Sequence, residues 1–209
     1  INRTKRGTVT LRIENAILDG INLESITLND VMFVNCKFTC VNLIKAKLNT
    51  VYFYKSKLIA VNLSQSDMVS CDFDNTNLEN CTMTKCTMSY CKFRTTKLVA
   101  VPMCSSRVFN SDFSDCLLDS CASTHMFVLY TTWFRTRLTV TSFTNSSISD
   151  STFSMSSLSY VDFYQANLIS ISFLSSKFND VNLTEANTVN CQFPKQQEAV
   201  VLRLDLWDR

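Results

Sequence analysis

Large apolar residues fall at every fifth position of this chain. From Ile13 to Phe193 the register never slips, and only Ser123 and Thr188 interrupt the run of large apolar side chains. Two places before each comes a small or modest residue, as Val61, Ser66 and Cys71 precede Leu63, Met68 and Phe73. A period of five matches neither the 3.6 of an α-helix nor the 2 of a flat strand. Self-similarity at a fixed short period reads as a stacked repeat architecture. A twenty-residue period lies over the first: every twentieth residue from Phe33 to Phe193 is Phe, apart from Trp133. Four pentads therefore close one coil, and each coil stacks its side chains on those above and below. Neighbouring strands lie ~4.8 Å apart, so about nine coils predict an all-β rod on the order of 45 Å long.

Residues 11–193 form the predicted repeat domain. An open solenoid end leaves backbone unpaired, so residues 1–10 read as an N-terminal cap. Pro194 ends the register, and residues 194–209 read as a C-terminal cap or the start of a further segment. The only glycines are Gly7 and Gly20, so ordinary residues must turn the corners.

The triplets Val41–Leu43, Val61–Leu63, Cys71–Phe73, Val161–Phe163, Ala166–Leu168 and Val181–Leu183 each read small, Asp or Asn, then large apolar. They resemble the motif of the pentapeptide-repeat proteins, A(D/N)LXX, and the resemblance runs over roughly residues 11–193. It implies a right-handed quadrilateral parallel β-helix with four faces per coil. Ser, Thr and Cys often replace the motif's Ala here, and Lys, Thr or Ser its acidic residue. One branch of the family consists of acidic, gyrase-binding DNA mimics that dimerise through a C-terminal segment. Another consists of effectors that bacteria inject into host cells, where the repeat is the bulk of the protein or recruits substrates for a larger enzyme. The Ser/Thr/Asn/Cys-rich texture is similar to the second branch.

Composition narrows the rest. A net charge of +2 gives no general nucleic-acid signature, and no apolar run is long enough for a membrane helix. Ile1–Thr10 lacks the apolar core of a signal peptide, and the chain opens without Met, as a fragment would. Cys36, Cys71, Cys81, Cys86, Cys91, Cys116, Cys121 and Cys191 all fall at the small inward position, where a free thiol behaves as a small hydrophobe. Structural thiols in a reducing compartment are expected, with no metal site and no cofactor.

Three groups of outward residues could carry function. Between Cys104 and Arg137 the pattern loosens: Ser123 takes a core position, while Phe109, Phe127, Leu129, Tyr130 and Phe134 take outward ones. That predicts either a bulged coil folding over a weak spot or an exposed partner-binding patch. Lys37, Lys57, Lys97, Arg137 and Lys177 share one outward column, suited to a polyanion or an acidic protein, or simply solvated; Asp19, Glu79 and Asp119 lie beside it. His125, the single histidine, falls near Cys104 and Asn145, the residue types of a cysteine-nucleophile site. A flat solenoid face offers that trio no cleft. The expected function is thus a non-catalytic rod that binds a protein partner, with homodimerisation through the C-terminal segment allowed. The alternatives are the recruiting domain of a larger effector enzyme, such as a ubiquitin ligase or cysteine protease, and, less favoured, a gyrase-binding mimic.

Overall fold

The structure is a computed structural model that describes residues 11–195. It is a right-handed, four-sided parallel β-helix of about nine coils, with no helix among the described residues. The faces follow the pentads. Face one is centred on the column Ile13 to Phe193, face two on Leu18 to Phe178, face three on Leu23 to Leu183, and face four on Leu28 to Thr188. Residues twenty apart are parallel partners, as Leu58 with Leu78 or Val108 with Val128. Faces two and four are each a continuous nine-stranded sheet. Faces one and three are held mainly by single bridges such as Tyr52 with Asp72 and Asn42 with Asn62. The caps and dimer contact expected at the two ends lie, before Leu11 and beyond Lys195, outside the described residues.

Every corner is made the same way. The second residue after each centre has a positive φ, from Asn15 at 55° to Asn190 at 54°, and apart from Gly20 none is glycine. Corners leaving faces one and three are closed turns: Ser56 N–H donates to Phe53 C=O at 3.0 Å, and Ser66 to Leu63 at 3.1 Å. A positive φ at the third of four residues is the geometry of a type II turn. The motif's Asp or Asn serves these turns. Asn62 Oδ1 accepts the Ser64 N–H at 3.0 Å and Asp72 Oδ1 the Asp74 N–H at 2.9 Å, the local Asx bond that these side chains favour.

The inward small position also has a bonding role. Thr76, Thr96 and Thr136 donate their hydroxyls to the carbonyls of Phe53, Phe73 and Phe113 on the coil below, at 2.7–2.8 Å. The Cys86 thiol reaches Leu63 C=O in the same way, at 2.9 Å. Ser146 and Ser156 also accept from backbone N–H groups one coil below, those of Met126 and Thr136. Buried hydroxyls at these sites are therefore satisfied, and Ser, Thr and Cys replace the motif's Ala without stranding a polar group.

The aromatic column on face one stacks face to face, with centroids 4.7 Å apart for Phe73–Phe93, 4.5 Å for Phe93–Phe113 and 4.2 Å for Phe113–Trp133. Aromatic residues half a coil apart meet edge to face across the core, as Trp133 meets Phe143 at 5.9 Å. The same half-coil offset on the other side of Trp133 belongs to Ser123. An oversized indole and an undersized serine thus share one level, and their summed volume stays near that of two ordinary core residues. Ser123 is completely buried. The expected bulge does not form: parallel pairing runs unbroken through Arg107–Phe127 and Phe127–Ser147. The mismatch leaves Ser123 Oγ and Trp133 Nε1 without hydrogen-bond partners.

Candidate functional site

Because the backbone at 104–137 keeps its register, its outward side chains have nothing to fold over. Phe127 and Tyr130 remain 42% and 57% exposed, while Phe109, Leu129 and Phe134 are half-buried. Phe109 and Phe127 lean on each other across neighbouring strands of face four, with ring centroids 5.8 Å apart. Leu129 lies beside Phe109 in register. Tyr130 stands on the next corner, between faces four and one, whereas Phe134 lies past Trp133 on the far corner of face one, its ring under the Arg135 guanidinium at 4.9 Å. Phe109, Phe127, Leu129 and Tyr130 thus form one patch at the edge between faces four and one, with Phe134 set apart from it by the width of face one.

The cation column lies on face two as the spacing predicts. Lys37, Lys57, Lys97, Arg137 and Lys177 are exposed, with Asn77, Leu117 and Ser157 interposed in the pairing. One carboxylate pairs with a cation of the column among the described residues. Lys57 Nζ lies 3.5 Å from Glu79, which also accepts from Asn77 at 2.8 Å. That hydrogen bond, then the lysine's charge, hold the Glu79 carboxyl below its ordinary range. On the corner leading into face two, Arg135 pairs with Asp115 at 2.7 Å.

Cys104, His125 and Asn145 lie along the corner between faces three and four without engaging one another. The Cys104 thiol donates to Ala122 C=O at 3.4 Å. His125 and Asn145 are exposed corner residues with positive φ, at 56° and 57°. No side-chain hydrogen bond joins any two of the three among the described residues. On face one a shallow depression of about 380 Å³ is bordered by Arg12, Tyr52, Tyr54, Asp72 and Asp74. Burial pushes Asp72 and Tyr52 up from their ordinary values. Asp74 is already engaged by Arg94, whose Nε donates to it at 2.9 Å.

Residues 10–80 match the model of the pentapeptide repeat region, and the structure carries the same pentad geometry on to Phe193. The chain thus carries a pentapeptide-repeat region over residues 10–80. Among solved structures, a trypsin-treated form of QnrB1, a plasmid-mediated fluoroquinolone resistance protein, superposes with a TM-score of 0.52 at 12% identity, over 92% of this chain and 96% of that one. HetL, a pentapeptide-repeat protein involved in heterocyst differentiation regulation in the cyanobacterium Nostoc, gives 0.47 at 14% identity, over 88% and 90%. At 12% identity the likeness to QnrB1 is one of fold. No curated protein matches the chain by sequence.

All ten cysteines are free thiols, and seven of the eight at the inward position are buried. Burial pushes the Cys81 and Cys121 thiols up to about 11. The neighbouring Cys91 thiol first, and then burial, push Cys71 up as well. Such thiols are poor nucleophiles. Column scanning along the sequence misses a second group of cations. Lys45, Lys47, Lys85 and Arg107 are exposed on face four and its leading corner, and none has a carboxylate within salt-bridge distance among the described residues. They belong to two adjacent columns, so no single twenty-residue period collects them.

Proposed function

We propose that this protein is a non-catalytic, rigid β-solenoid that works as a protein–protein interaction scaffold, and that its partner docks on the patch of Phe109, Phe127, Leu129 and Tyr130 and reaches Phe134 across face one. The supporting observation is the exposure of Phe127 and Tyr130 on an unbroken coil. A contiguous exposed apolar patch rich in aromatics is the usual composition of an interface core. The continuous core is filled by stacked rings, so the ligand is a macromolecular surface and not a small molecule held inside. In the finer form of this reading the rod is, or is the substrate-recruiting part of, a secreted bacterial effector working in a reducing compartment. Ten free thiols and a Ser/Thr-rich surface support that form.

The test is affinity capture from bacterial and from eukaryotic cytosol with the intact chain and with a Phe127→Ser/Tyr130→Ser/Phe134→Ser variant. The expected result is a partner held by the first and lost by the second, with unchanged circular dichroism. A partner retained by the variant removes the patch from the interface.

A further inference from the structure

Face four carries more than the apolar patch. Between the second and fifth coils its outer surface presents Lys45 and Lys47, then Lys85, then Arg107, and only Asp67 opposes them. No carboxylate reaches any of these four cations among the described residues. Arg107 is the direct strand partner of Phe127 and follows Thr87 in the same column. Tyr90, 61% exposed, stands on the corner column two coils below Tyr130. The arrangement is ordered along the rod, with uncompensated positive charge on the N-terminal coils and aromatic surface on the C-terminal ones. It occupies one side of the molecule.

We propose that face four receives an acidic protein segment anchored by a large apolar side chain. This deepens the scaffold reading above and rests on it. Cations left without intramolecular partners are already free to pair, so a partner carboxylate adds attraction without breaking an existing bond. Complementary charge of this kind mainly sets encounter rate and partner choice, while apolar burial holds the complex. The geometry fixes the ligand's order. From Lys45 to Tyr130 is about four coils, ~19 Å at ~4.8 Å each, which an extended chain at ~3.3 Å per residue spans with about six residues. The carboxylates lie over Lys45, Lys47 and Lys85, and the apolar anchor lies over Phe127 and Leu129. Single-stranded nucleic acid, with phosphates and stacking bases, is the competing ligand chemistry. The half-buried floor pairs one ring, Phe109, with the aliphatic Leu129, which gives a base nothing to stack on and favours the protein segment.

The experiment is selection of a library of short random peptides on the intact protein. Selected peptides are then titrated against three variants: Lys85→Glu/Arg107→Glu, Lys57→Glu/Lys97→Glu on face two, and Phe127→Ser/Tyr130→Ser. An oligothymidine serves as competitor. The expected result is enrichment of net-negative peptides carrying at least one large apolar residue. Their affinity should fall about tenfold or more in the face-four charge variant, stay level in the face-two variant, and weaken with added salt. Neutral or basic winners, no enrichment, equal loss in the face-two variant, or displacement by oligothymidine would each overturn the proposal. Peptides lost only in Phe127→Ser/Tyr130→Ser keep the patch as an interface and reject the acidic partner. Peptides bound by all three variants reject both readings.

Discussion

Faces two and four are both nine-stranded parallel sheets with cations on the outside, yet those cations keep different company. On face two Lys57 pairs with Glu79, and Arg135 at its leading corner pairs with Asp115. On face four the lysines and Arg107 have no carboxylate partner among the described residues and stand beside exposed Phe127 and the corner tyrosines Tyr90 and Tyr130. The inner sides differ as well. Face two is backed by a ladder of hydroxyls, Ser56, Thr76, Thr96, Thr136, Ser156 and Ser176, whereas Ala46, Met126 and Ala166 interrupt the corresponding row behind face four. One repeat geometry therefore yields a sheet with ion pairs at Lys57 and at its leading corner, and one whose four cations have none among the described residues. The difference shows that a cation column is informative only once its counter-charges are placed.

The largest test acts on the coil behind the patch. Ser123→Leu should destabilise the fold by about 1–3 kcal/mol through overpacking against Trp133. Adding Trp133→Leu should recover most of that loss, because the two share one level of the core. Chemical denaturation of the four proteins of the cycle measures this, and additive losses would show that the two side chains do not compensate one another. Smaller, and lodged behind face three between the two sheets, is the effect of alkaline pH. Cys81 and Cys121 ionise near 9 when unfolded but near 11 when folded. The folded pKa is the higher, so stability is complete below pH 9 and falls as pH rises from 9 towards 11. A midpoint that stays constant over that window would mean the thiols are not buried.

Much of this was legible in the sequence. The solenoid, the coil length and the aromatic column follow from a register that runs to Phe193 without an insertion. The inward thiols follow from their place in that register. Three things were not legible. Corner residues as different as Lys45, Tyr90 and Val140 share one left-handed conformation, because stacking imposes it and their own preferences do not. Thr96 and Cys86 read as small fillers, yet both bond carbonyls of the coil below, a contact between residues 23 apart. Ser123 reads as a weak spot because its partner in volume, Trp133, sits on the opposite face, where no neighbour relation along the chain reveals it.

The two smallest predictions separate the sheets again. Thr96→Val keeps the shape behind face two but removes the hydroxyl bond to Phe73 C=O, which retains the Thr76 N–H. The cost should be about 1 kcal/mol. Ala166→Val behind face four breaks no such bond, so any loss there reports packing alone. At the end of face two, Val140 holds φ 48° with its side chain 57% exposed. A β-branched residue is poorly suited to that region, which Asn and Gly enter more readily. Val140→Asn should therefore raise stability, by up to about 1 kcal/mol, since little apolar contact is lost. A lower denaturation midpoint would mean that the exposed valine packs on Tyr160 one coil above, and that this corner, like face four, carries apolar surface the fold itself uses.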